Sequence, residues 1–148
     1  MTSLYAWLSF IHALAVGTFL FAHGVSGTAS LVLRGPVSGS TRALLSLSQR
    51  SAQASTPAIL VILITGIWMT FAGHWSSRLW PWAALVLLVA VTGVMIWIAR
   101  PYYMAREAMG GPDEALAARL AQTRPRLALW IGAPALVLLF GLMIFKPF

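Results

Sequence analysis

From Leu4 to Leu33 the chain reads LYAWLSFIHALAVGTFLFAHGVSGTASLVL, with no Asp, Glu, Lys or Arg. A helix needs about 20 apolar residues to cross the hydrocarbon of a bilayer, so this stretch is long enough to span and restricts the chain to a membrane setting. His12 and His23 lie inside it, eleven positions apart. At about 100° per residue, eleven steps return to within about 20° of the starting direction, and at about 1.5 Å per residue they put the two rings roughly 16 Å apart. The histidines share a face, one toward each end of the span. An ionisable side chain at membrane depth is a functional candidate by default.

Composition agrees with this setting, since 59% hydrophobic and 9% charged residues exclude an ordinary soluble globule. A net charge of +7 raises nucleic acid as a partner. The cations fall between apolar runs, however, so they report topology and no nucleic-acid partner is expected. The absence of cysteine excludes disulfides, thiolate catalysis, iron-sulfur clusters and Cys-type zinc sites. The N-terminal apolar run is too long for a signal-peptide core and lacks a basic lead-in, so no cleavage is expected.

Four spans are expected, at about 4–33, 57–73, 79–99 and 127–145. The first ends near Arg34-Gly35-Pro36. Ser40 or Thr41 is placed to cap a helical lead-in over about 41–56, which joins span two at Pro57, a residue that bends a membrane helix without stopping it. The turn HWSSR reverses the chain into span three, whose helix continues over about 100–108 until Gly110-Gly111-Pro112. Asp113 is placed to cap a short polar helix over about 113–123, and Pro125 and Arg126 then introduce span four. The fold expected is an all-α integral membrane four-helix bundle, up-down-up-down, forming a single transmembrane domain.

Cation asymmetry orients it. Arg34, Arg42 and Arg50 in loop one and Arg100, Arg106, Arg119, Arg124 and Arg126 in loop three are eight of the ten cations, against Arg78 and Lys146 on the other side. Both termini are therefore expected outside. Tyr5, Trp7, Trp75, Trp80, Trp82 and Phe145 gather at the outer boundary, and Trp97, Tyr102, Tyr103 and Trp130 at the inner one, as interfacial aromatics do.

Two readings stand for the histidines: hydrogen bonding to a neighbouring helix, or ligation of haem or a metal ion inside the bundle. One iron cannot take both His12 and His23, so a bis-His site needs a second helix. His74, at the outer end of span two, is the remaining histidine, and His12 with His74 is the pair that shares the outer half. Methionine could substitute, Met69 and Met143 in the outer half or Met95 and Met104 in the inner, for haem or for soft copper, although scattered Met in a bundle usually packs. Small residues at Ala13, Gly17, Gly24 and Thr28 let another helix approach span one. No buried carboxylate, phosphate loop or nucleophile motif is present.

The LYAWLSFIHALAVGTFLFAHG opening, the segment STPAILVILITGIWMTFAG and the ending IWIARPYYMAREA together resemble an uncharacterised family of small bacterial four-helix membrane proteins, similar in layout to the copper-resistance-D-like proteins. The positions that match are His12, then Pro57 and Gly66, then Trp97 and Pro101. The resemblance implies a multi-pass protein of the bacterial inner membrane and brings no established activity. The aromatic-Leu-x-x-x-His opening also resembles that of the four-helix membrane protoporphyrinogen oxidases, which are thought to use haem and pair the histidine with a lysine on the third helix. Here span three carries no lysine. The expected function is binding of b-type haem, or less readily copper, in membrane redox or cofactor handling, with His12, His74 and His23 as candidate cofactor residues and His12 and His74 as metal ligands. The alternative is a non-catalytic accessory subunit of a homo-oligomer or larger complex in the lipid bilayer. An enzyme is a third possibility, with no catalytic residue to assign.

Overall fold

The computed structural model describes residues 2–33 and 36–147; Arg34 and Gly35, at the expected end of span one, lie outside the described residues. Five α-helices follow one another: α1 (Thr2–Val32), α2 (Gly39–Ala72), α3 (Leu79–Glu107), α4 (Asp113–Ala121) and α5 (Pro125–Phe145), with a 3₁₀ turn at Ala108–Gly110 before α4. The chain is all-helical, and α1, α2, α3 and α5 are each long and apolar enough to cross a membrane. Pro57, Pro101 and Pro134 sit inside α2, α3 and α5 without ending them. Neighbouring helices and i−4 hydroxyl contacts can absorb the lost backbone bond in membrane helices.

α1 lies along α2 and α3 along α5, and the two pairs meet through α2 with α3 and α1 with α5. The α1 face turned to α2 is Leu8, Ala15, Ala22 and Ala29, all buried and spaced by sevens. A period of seven is the signature of helices crossing at a shallow left-handed angle, and alanine lets their backbones come close. Ala13, Gly17, Gly24 and Thr28, expected to admit another helix, are exposed instead. Apart from the helix's own neighbouring backbone, no described atom lies within 4 Å of where a Cβ at Gly17 or Gly24 would be. The intramolecular partner uses the alanine stripe instead. The Ala13 to Thr28 stripe is left facing outward.

The most completely buried side chains cluster at one end. Leu33, Leu45, Tyr102, Ala105, Leu116 and Leu120 form a core there, with α4 docked beneath the long helices through its Leu116/Leu120 face. A nine-residue helix is not stable alone in water, so this docking holds it. Arg42 adds a tether, donating to Asp113 Oδ1 at 2.6 Å and to the Gly111 carbonyl at 2.9 Å. Asp113 is thus an ion-pair partner rather than the expected cap: the N-cap is Pro112, and Asp113 is the first helical residue. The cap of α2 is also shifted. Ser38 takes that place, its hydroxyl accepting from the Thr41 amide while the Ser38 amide donates to Thr41 Oγ1, a reciprocal capping box. Tyr102, expected as an interfacial aromatic, is buried at 6% exposure.

Candidate functional site

The His12 ring turns toward α2, where Nδ1 lies 2.8 Å from Thr65 Oγ1. The Thr65 hydroxyl hydrogen is already directed to the Val61 carbonyl, 2.5 Å away. A hydroxyl has one hydrogen, so toward His12 it must accept. This arrangement favours the tautomer in which Nδ1 carries the imidazole proton and donates it and Nε2 keeps a lone pair. Gly66 lies beside the ring, where a Cβ would sit 3.4 Å from His12 Cε1, an ordinary van der Waals contact. Fixing one ring nitrogen by a hydrogen bond so that the other can act is how ligating histidines are oriented.

His12 lines a cavity of about 230 Å³ to which all four long helices contribute, among them Tyr5 and His12 of α1, Met69 of α2, Trp80 of α3 and Met143 of α5, with Lys146 just past the end of α5. Its mouth is shaped by the end of α2. The amides of His74 and Trp75 fold back onto the carbonyls of Phe71 and Thr70 at 3.1 and 2.8 Å, the paired closure of a Schellman motif. This brings the Trp75 indole back over Gly73 so closely that a Cβ at that glycine would collide with it. Trp75 meets Trp80 edge to face with centroids 5.9 Å apart. The Lys146 ammonium stands 4.6 Å from the Trp75 centroid and 5.7 Å from that of Trp80, contacts worth about 0.5–1 kcal/mol at an exposed position. Trp80 Nε1 is buried with no hydrogen-bond partner among the described residues.

The motif requires a left-handed residue after the helix, usually glycine, and His74 occupies that place with φ 58°. A residue with a Cβ is strained there by about 1 kcal/mol or somewhat more. His74→Gly is accordingly expected to raise stability by about 1 kcal/mol, read as a higher thermal midpoint in detergent. A lower midpoint would mean that the imidazole makes a contact large enough to outweigh the strain.

A second polar centre lies at the α4 end of the bundle. Arg106 is only 8% exposed, and no carboxylate pairs with it among the described residues, where the one ion pair is Arg42 with Asp113. Its Nη2 donates to Ser48 Oγ at 2.6 Å and to Ser26 Oγ at 3.3 Å, and its guanidinium lies over the Tyr102 and Tyr103 rings, 4.7 and 5.3 Å from their centroids. Tyr102 donates to the same Ser48 hydroxyl at 2.9 Å. Ser26 and Ser51 share a hydrogen bond of 2.8 Å, so the network joins α1, α2 and α3.

The expected site residues separate. His12 reaches the cavity; His74 is exposed in the turn and does not line it. The left-handed closure of α2 is a backbone feature that a rise-per-residue estimate does not contain. His23 is exposed on α1, stacked on Phe19 with centroids 5.1 Å apart. Met69 and Met143 line the cavity with His12, whereas Met95 packs its methyl against Gly132 and the Met104 sulfur faces Arg119. Among the described residues no three His, Cys, Asp or Glu side chains come together as a metal site. The residues the sequence reading missed are Thr65 and the Ser26, Ser48, Arg106 group. A hydroxyl in the middle of PAILVILITGIWMTFAG was the available signal for Thr65, and none marked Arg106 apart from its neighbours.

The fold and site define a helical protein of multi-pass membrane type with one cavity that draws on all four long helices. Comparison with family models, with curated proteins and with solved structures finds no match.

Proposed function

We propose that this chain binds b-type haem through His12 at the α1–α2–α3–α5 cavity, whose volume of about 230 Å³ takes one edge of the ring, as a small redox or cofactor-handling protein of the bacterial inner membrane. The observation that carries the reading is the 2.8 Å contact of His12 Nδ1 with Thr65 Oγ1 on a residue lining the cavity, which favours the tautomer that keeps a lone pair on Nε2. The donor chemistry fits haem, since imidazole with a thioether from Met69 or Met143 is a known type of axial set. Copper would draw on the same soft donors. Haem iron would supply one-electron transfer, and His12 with Met69 or Met143 would hold it. The likeness to the copper-resistance-D-like layout belongs to the same proposal.

The test is an absorption spectrum of protein purified from haem-replete cells, with and without dithionite. A Soret band and a sharp reduced α band are expected, and a colourless protein free of copper by metal analysis would end this reading.

The spans run up-down-up-down in this proposal. Residues early in one helix meet residues late in the next: His12 with Thr65 and Ser26 with Ser51 between α1 and α2, and Met95 with Gly132 and Trp80 with Lys146 between α3 and α5. With the arginine-rich connections inside, both termini lie outside. A reporter fused after Phe148 is expected to be active only in its exported form, and cytoplasmic activity would reverse the orientation. A second reading, an accessory subunit, is favoured by the exposed Ala13, Gly17, Gly24 and Thr28 stripe, whose outward position suits a helix of another chain. Under that reading Gly17→Leu with Gly24→Leu shifts the protein to a smaller species in native mass spectrometry, and an unchanged mass removes it.

A further inference from the structure

We infer that the cavity mouth is a clamp for the acid group of an amphiphile, with the Lys146 ammonium and the Trp80 indole N–H taking the anionic oxygens of a ligand whose apolar body fills the space below. This rests on reading the cavity as a ligand site and does not depend on iron. Indole nitrogen is a donor only, and a buried donor without an acceptor is unfavourable. Trp82, two residues further along α3, has its own N–H satisfied by the Ser76 carbonyl at 3.0 Å, whereas the Trp80 N–H is left buried and unpartnered among the described residues. Lys146 stands over the same Trp80 ring, 5.7 Å from its centroid, so an orphaned donor and the one lysine of the chain belong to the same corner of the cavity.

Among the described residues neither meets a carboxylate. No Asp or Glu lines the cavity, and among the described residues the one ion pair, Arg42 with Asp113, involves neither. An ammonium over the ring of an indole whose N–H lacks an acceptor calls for a group that only accepts and carries negative charge, as a carboxylate does with its two oxygens. Below the mouth the walls are apolar, with Ile62, Leu63, Leu85 and Leu88 among them. At about 230 Å³ the space lies below the usual range for drug-sized ligands, which suits one chain or the edge of a ring system rather than a two-chain lipid. A fatty acid and a tetrapyrrole acid present the same carboxylate, and the test distinguishes them.

The probe is tritiated oleate bound to the full-length protein in neutral detergent, read by scintillation proximity. Saturable binding is expected, displaced by unlabelled oleate and at least about tenfold less well by oleyl alcohol, which keeps the chain and lacks the charge. Lys146→Gln is expected to weaken oleate about tenfold and to remove the preference over the alcohol, while Lys146→Arg keeps it. Lys146 is exposed, so these variants leave the packing intact. Trp80→Phe keeps a ring under the ammonium and lacks the N–H; a several-fold loss is expected, with the thermal midpoint measured alongside to verify folding. Displacement by mesoporphyrin more strongly than by oleate, and not by its dimethyl ester, assigns the clamp to a ring acid; the reverse order assigns it to a chain acid. Equal competition by oleate and oleyl alcohol, or unchanged oleate affinity in Lys146→Gln, overturns the proposal. A Soret band without acid preference leaves the haem reading standing and the clamp refuted, and acid preference without a Soret band does the opposite.

Discussion

Ser48→Ala is expected to lower folding stability by about 3 kcal/mol, far more than a surface serine would. Ser48 has no exposed surface, and its hydroxyl accepts both from Arg106 Nη2 at 2.6 Å and from Tyr102 at 2.9 Å. Removing it strands a guanidinium that is 8% exposed, already has an unpartnered Nε, and would keep only the longer Ser26 contact at 3.3 Å. Breaking a buried charged contact from one side is what makes such a change severe, whereas replacing the charge by an apolar side chain of similar volume is often close to neutral. Arg106→Met should therefore destabilise less than Ser48→Ala. The double variant should be more stable than Ser48→Ala alone, because no buried charge is left without a partner. Chemical or thermal unfolding in detergent reads all three. Strict additivity of the two single losses would show that Ser48 does not act on the guanidinium.

His12→Ala is expected to abolish the Soret band of the purified protein, and Thr65→Val to weaken haem retention about 10- to 100-fold. Valine keeps the shape of threonine and cannot accept the Nδ1 proton, so the imidazole would lose the contact that holds its orientation. His23→Ala should leave the pigment intact, since that ring is exposed and stacked on Phe19 outside the cavity. The same separation applies to His74→Gly, which should change stability and not the spectrum. Full pigment in both His12→Ala and Thr65→Val would remove the histidine-ligand reading of α1.

The two polar centres divide the bundle. At the cavity end, His12, Trp80 and Lys146 line one space, with Trp80 carrying an N–H unpartnered among the described residues and Lys146 a cation. At the α4 end, the Arg106 network and the core around Leu45 and Leu116 tie α1, α2, α3 and α4 together. A firmly joined end opposite a lined cavity is a reasonable arrangement for a small bundle, because rigidity at one end positions the side chains at the other without filling the space between them.

Apolar length was legible from residues alone. Four uncharged runs of sufficient length can only be helix in hydrocarbon, where every backbone N–H and C=O must be satisfied within the segment, and four such helices are present. His12 could be singled out for the same reason, since an imidazole among Phe10, Ile11 and Leu14 needs a partner. What the sequence could not decide was which face of each helix meets which neighbour. All sides of α1 are apolar, so no hydrophobic stripe marks its inward face, and the Ala15, Ala22, Ala29 stripe and the Ala13, Gly17, Gly24 stripe were equally plausible until α2 was in place. The partner of His12, the left-handed turn that withdraws His74 and the burial of Arg106 beneath Ser48 are all contacts between segments distant in the chain. Local composition determined that these helices form; only their packing decided which hydroxyl, ring or cation each polar side chain would meet.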